Sequence, residues 1–169
     1  KNLPHYGSGG MVLTDDDRIA SEMRNLKDNG KLSNHAMPGT NCKMSEADCA
    51  AMLVKLKHFD AWQSRRSEIA EYYDSRLADY VQIPMVDPRV THSWHKYVIQ
   101  TDQRDEMQDY LTAHGVETKI HYPYVFGDRP NALTFTSRVL SLPIYPEMTD
   151  GEVEEVSDHV VNFFEDQIA

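Results

Sequence analysis

Apolar side chains recur at helical spacing over three long stretches of the chain, and shorter apolar runs bounded by glycine or proline lie between them. Met11-Val12-Leu13-Thr14 is a short apolar run after a glycine-rich turn, and predicts a strand. Asp15, Asp16 and Asp17 then place three carboxylates where a helix N-terminus favours negative charge. Ile19, Met23 and Leu26 recur on one face of the predicted helix, and Gly30 is the expected stop. Residues 31–44 are polar and irregular, a loop long enough to raise a functional question. From Ser45, which with Asp48 resembles a capping box, a helical pattern continues to about Tyr80 through Leu53, Leu56, Phe59, Trp62, Ile69, Tyr73 and Leu77. One continuous helix of that length would span roughly 50 Å at about 1.5 Å per residue, enough to bridge two domains. Pro84 and Pro88 mark its exit.

The remainder predicts a small α+β unit. Ser93–Thr101 reads as a strand, Arg104–His114 as a helix stopped by Gly115, and Val116–Tyr122 as a second strand with Thr118, Ile120 and Tyr122 on one face. Leu140–Ile144 reads as an edge-like strand, because Pro143 cannot donate to a central ladder. Thr149 and Glu152 form a capping box ahead of Val153, Val156, Val160 and Phe163. No internal repeat or low-complexity tract interrupts this order.

Composition narrows the class. The 169 residues fit one domain or one and a half. Nine Tyr, five Phe and two Trp can fill a core, so wholesale disorder is excluded. No apolar run approaches the ~18–20 residues of a membrane span. A net charge of −10 argues against general nucleic-acid binding, which needs a basic face. Cys42 and Cys49 show neither metal spacing nor a secreted framework, and are read as reduced thiols of a cytoplasmic protein. The first residue is Lys1 rather than Met, which suggests a segment of something longer.

The candidate chemistry is sparse. Lys1 stands beside the turn Tyr6-Gly7-Ser8-Gly9-Gly10, whose backbone N–H groups would suit a phosphate. A lysine in a loop is also ordinary surface solvation, and that alternative stays open. Because the glycine turn precedes the apolar run, the order strand, glycine loop, helix of a dinucleotide site is not met. Asn41 and Lys43 could donate to an anion ahead of the helix at Ser45, or be an Asx-turn and a solvated lysine. His121, Tyr122, Pro123 and Tyr124 could line a cleft or form an aromatic rim. His92 and His95 would fall on opposite faces of a strand, which argues against a metal pair. No Ser–His–Asp order, P-loop or HExxH is present.

Five blocks, in order, carry a resemblance. They are Lys1-Asn2-Leu3 with Tyr6–Thr14; Gly39–Glu46 with Ala50, Ala51 and the Leu53–Asp60 helix; His95 with Tyr97-Val98-Ile99; Gly115–Pro123; and Leu140–Pro146. Together they resemble the C-terminal part of the DegT/DnrJ/EryC1/StrS sugar aminotransferases, which are α/β enzymes of fold type I using pyridoxal 5′-phosphate. The resemblance implies an organisation of residues 1–44 as the end of the cofactor-binding large domain, 45–80 as a long bridging helix and 81–169 as a small α+β C-terminal domain.

It also implies roles. Lys1 would form the Schiff base with the cofactor and shuttle the proton, since both tasks need an amine. A related branch that removes a hydroxyl carries histidine there, so the lysine favours transamination over dehydration. Asn41 would reach across a homodimer to the neighbouring cofactor phosphate. Lys43 stands where many members carry arginine, and it keeps the charge but loses the bidentate fork. His121 and Tyr122 would lie near the sugar cleft. The substrates implied are a nucleotide-linked keto-sugar and an amino donor, glutamate by expectation, in polysaccharide biosynthesis.

Two features depart from the family pattern. Residues 124–138 are fewer than in most members. The aspartate that pairs with the pyridine nitrogen belongs to the family's N-terminal half, so this chain alone is expected not to transaminate. Other readings remain: a catalytically inactive fragment or dimerisation module, a sugar dehydratase of the same family, and a plain α+β binding module.

Overall fold

The computed structural model describes residues 1–3, 7 and 9–167. Tyr6 and Ser8 of the glycine turn lie outside the described residues. The chain divides into two compact units, residues 3–58 and residues 1–2 with residues 59 onward.

In the first unit, Met11–Thr14 forms no strand, and Met11, Val12 and Leu13 are 63–85% exposed. An apolar run becomes a strand only when a neighbour completes its ladder, and none among the described residues does so. Helix α1 (Asp17–Leu26) starts as predicted. Asp16 caps it through Oδ1, which accepts from the Arg18 and Ile19 N–H groups at 2.8 and 3.3 Å. It ends at Leu26, one turn before Gly30. Gly30 instead opens a 3₁₀ turn (Lys31–Ser33) in the left-handed conformation, φ 73°. Asn29, Asn34 and His35 share that conformation, which asparagine tolerates better than most residues. Asn25 is buried beneath the turn, its Nδ2 donating to Ser33 Oγ at 3.0 Å. The chain then returns antiparallel, with Asp28 bridging to Asn41. Gly39 makes this return possible: a Cβ there would fall 2.6 Å from the Gly30 nitrogen and 2.8 Å from the Leu26 carbonyl oxygen.

Ser45 caps α2 (Glu46–Leu56), its Oγ accepting from the Asp48 N–H at 3.1 Å. The predicted long helix is in fact two. Lys57 and His58 form a turn, and α3 (Phe59–Leu77) begins the second unit. Neither residue is a glycine or proline, so the break carries no sequence punctuation. The division between the two compact units falls at this break.

The second unit holds the hydrophobic core. Strand β1 (Tyr97–Gln100) pairs antiparallel with β2 (Val139–Leu142), Tyr97 opposite Leu142 and Ile99 opposite Leu140. Between them run α4 (Arg104–Ala113), ended at Gly115 with φ 80°, and α5 (Pro130–Arg138). On helix α5, Leu133 and Phe135 stay exposed. The final helix, α6 (Asp150–Glu165), carries the predicted capping box at Thr149 and Glu152. Helices α3, α4 and α6 cover the sheet through Ile69, Tyr73, Leu77, Met107, Leu111 and Val160, each essentially inaccessible. Buried phenols are satisfied: Tyr73 Oη donates to the Pro143 carbonyl at 2.9 Å and Tyr97 Oη to Asp74 at 2.6 Å.

The segment Val116–Tyr122 is not a strand. Only Lys119 joins the sheet, exchanging two backbone bonds of 3.1 and 2.9 Å with Ser141. β2 therefore has a neighbour on each side and stops before Pro143, so proline ends the strand rather than marking an open edge.

Candidate active site

The second unit contains a cavity of about 890 Å³ whose wall includes Lys1, His95, Lys96, Lys119, His121 and Tyr122. The sheet sets its floor. Ser141, at the middle of β2, is buried, and its Oγ lies 2.9 Å from His121 Nδ1. The Lys119 bridge places His121 two residues further along the same edge. Tyr122 follows with φ 58°, a left-handed conformation that is an outlier for so bulky a residue. Its ring is largely exposed and lies beneath Lys96, Nζ 5.2 Å from the centroid.

Electrostatics distinguish this wall. Burial holds the His95 imidazole below its ordinary pKa, and the positive charges of Lys1, Lys96 and Arg66 lower it further. Burial also lowers His121, reinforced by Lys96, Lys119 and Lys1. Both rings are therefore neutral at neutral pH and can accept or donate a hydrogen bond beside three ammonium groups. In a chain of net charge −10, the concentration of cations here is local. Glu117, Glu152 and Glu155 also line the cavity.

The first unit has a separate cavity of about 1000 Å³, lined by Gly9–Thr14, Met23, Arg24 and Asn41–Met44. Asn41 and Lys43 both face it. The Lys43 ammonium is held by Asp28 Oδ1 at 2.5 Å, and Lys31 reaches the same oxygen at 3.1 Å. The Lys43 contact, seconded by Lys31, holds the Asp28 carboxyl below the usual carboxylate range. Of the residues singled out in the sequence, Lys1, His121 and Tyr122 thus share one cavity and Asn41 and Lys43 another. In the sequence, His95 stands out as part of a motif block and as half of a disfavoured metal pair with His92, and Lys96 only as part of a predicted strand. A His-Lys pair just before a strand marks the site only once the cavity is seen.

The sequence profile of the DegT/DnrJ/EryC1/StrS aminotransferase family matches residues 1–161. The chain belongs to this family.

Among its relatives in the family, the erythromycin biosynthesis sensory transduction protein EryC1 of Saccharopolyspora erythraea is 35% identical over 95% of the chain and 48% of its own length. The dTDP-3-amino-3,4,6-trideoxy-alpha-D-glucose transaminase of Streptomyces venezuelae is 34% identical over 95% of the chain and 47% of its own length. The crystal structure of S. venezuelae DesV in complex with a ketimine intermediate superposes with a TM-score of 0.91 at 33% identity, covering 96% of this chain and 48% of that one. A family aminotransferase from Brucella abortus gives 0.90 at 26% identity, with the same coverage. The chain thus spans about half the length of the curated relatives it matches, and its mixed α/β fold with a small sheet is that half of the sugar aminotransferase fold. Among the described residues no helix is long and apolar enough to cross a membrane, and no group of three or more metal-ligating side chains converges. Cys42 and Cys49 are both free.

Proposed function

We propose that this chain supplies the lysine-bearing side of a pyridoxal 5′-phosphate-dependent aminotransferase site acting on a nucleotide-linked keto-sugar. The observation that carries it is the convergence of Lys1 with His95, His121, Lys96 and Lys119 on one cavity. The family match over residues 1–161 and the transaminase names of the relatives support the same reading.

The residues present fit the cofactor. Its aldehyde needs an amine, which Lys1 offers within a cavity large enough for a pyridine ring and a sugar. Once bound, the cofactor supplies a carbonyl for the amine and a ring that withdraws electrons from the reacting carbon. Lys1 Nζ holds the cofactor and later takes and returns the proton at that carbon. Lys96 and Lys119 attract and neutralise the anionic part of the substrate. His121, oriented by Ser141, and Tyr122 contact the sugar. Asn41 reaches the cofactor phosphate of a second copy in a homodimer, and Lys43, held by Asp28 until the phosphate arrives, adds its charge from the same loop. Glutamate is the amino donor and the compartment is the cytoplasm.

The dehydratase reading is disfavoured because lysine, not histidine, stands at position 1. The test is amino transfer from glutamate to a nucleotide-linked keto-sugar by the intact protein, with and without Lys1→Ala. Loss of at least a thousandfold in turnover supports the assignment. Retained transfer in the variant overturns it.

A further inference from the structure

The turn at residues 92–95 is held in an unusual way. Three successive carbonyl groups each accept a hydrogen bond from a different side chain. Gln63 Nε2 donates to the His92 carbonyl at 3.1 Å, Asn2 Nδ2 to the Ser93 carbonyl, and Arg66 Nη1 to the Trp94 carbonyl at 3.1 Å. The donors are themselves tied together. Asn2 Nδ2 also donates to Gln63 Oε1 at 3.1 Å, and Arg66 Nη1 reaches the Ile144 carbonyl at 2.7 Å. Gln63 and Arg66 stand three residues apart on α3, so one helix face carries both.

This network fixes a conformation that the chain would not choose. Trp94 has φ 44°, in the left-handed region that a large aromatic residue rarely enters. Its N–H is taken by His92 Nδ1 at 3.0 Å, and its ring is buried against Tyr97, 5.8 Å between centroids. Such strain persists where the surroundings over-determine it, and it concentrates at functional sites. Here it turns the chain so that the core receives Trp94 while the next residues, His95 and Lys96, line the cavity. The same turn anchors Asn2, whose neighbour is Lys1.

We propose that Asn2, Gln63 and Arg66 are positioning residues that register Lys1 against His95 by fastening both to the 92–95 turn. This rests on the assignment of Lys1 as the reactive amine. None of the three touches the reacting atoms; they act through Lys1 and His95.

The experiment compares the intact protein with Asn2→Ala, Gln63→Ala and Arg66→Lys, without cofactor. Two readouts are taken by NMR: the titration midpoint of the His95 imidazole, and the rate of reductive methylation at Lys1 Nζ with formaldehyde and cyanoborohydride. Burial holds His95 low and the Lys1 charge lowers it further, so releasing Lys1 raises the His95 midpoint part of the way toward the ordinary imidazole range in Asn2→Ala and Gln63→Ala. Lys1 methylation should change severalfold in those two variants while Lys43 and Lys119 are unaltered, and Arg66→Lys, which keeps the charge and can still donate to a carbonyl, should stay near the wild type. A purely structural network would lower the melting temperature and leave the His95 midpoint and the lysine selectivity unmoved, which overturns the proposal. The formaldehyde probe needs no pyridoxal phosphate, so failure of the clamp is distinguishable from failure of the aminotransferase reading.

Discussion

His121 Nδ1 lies 2.9 Å from Ser141 Oγ, and Ser141 is also the residue whose backbone binds Lys119. One buried serine in the middle of β2 therefore sets both a histidine and a lysine on the cavity wall. Ser141→Ala removes the hydroxyl and keeps the strand. Leaving His121 without its partner should cost about 1 kcal/mol of stability, measured by chemical denaturation. In the proposed reaction, it should raise KM for the sugar substrate severalfold with a smaller change in kcat, because His121 contacts the sugar rather than the reacting carbon.

The two cavity histidines give a pH dependence with a defined sign. Both His95 and His121 have folded pKa values below the ordinary one. The unfolded chain therefore binds more protons over the intervening range, and stability rises with pH there. Their contribution is fully present above ~6.5 and is lost as pH falls through the lower folded values. Melting temperatures recorded from pH 8 to pH 5 should fall across that window, and the fall should be shallower in a His95→Gln/His121→Gln protein. The lowered carboxylates Asp28, Asp87 and Glu152 act in the same direction but at more acid pH, which separates the effects.

Gly39 tests the architecture of the loop that carries Asn41. Its missing Cβ leaves room for the Gly30 nitrogen and the Leu26 carbonyl, which are backbone atoms and cannot swing aside. Gly39→Ala should destabilise the protein by about 1–3 kcal/mol, the usual cost of overpacking a tight site. Because the strain falls on the first unit, hydrogen exchange should accelerate at residues 25–41 and stay unchanged at β1 and β2.

Asp28 controls the availability of Lys43. Asp28→Asn removes the carboxylate that now holds the ammonium. Both side chains are surface groups, so the melting temperature should barely move. Inorganic phosphate and pyridoxal phosphate should bind severalfold more tightly to the variant if the Asn41–Lys43 loop serves as a phosphate site. Unchanged affinity would remove Lys43 from that role.

These predictions rest unevenly on features visible in the sequence. The capping box at Thr149 and the stop at Gly115 were legible because each is a local bond pattern with its own residue types: Glu152 Oε2 accepts from the Thr149 N–H at 2.7 Å, and Thr149 Oγ1 from the Glu152 N–H at 3.2 Å. The apolar runs at residues 11–14 and 116–122 misled, since a strand is decided by the neighbour that completes it and not by the run itself. The turn at Lys57 and His58 left no trace because neither residue punctuates a helix. Lys1, His121 and Tyr122 could be singled out because motif order carried them. Asn2, Gln63 and Arg66 could not, because their partners are backbone carbonyls, which look the same in every residue.

The central claim is that the Lys1 side chain is the amine that receives the cofactor. Titration of the intact protein with pyridoxal phosphate, borohydride reduction and peptide mapping tests it most directly, provided the mapping separates the Lys1 side chain from any α-amine. The account predicts saturable modification at Lys1 Nζ, about one per chain, abolished in Lys1→Ala. Modification spread over Lys43, Lys96, Lys119 and other surface lysines, with no preference for Lys1, would contradict it.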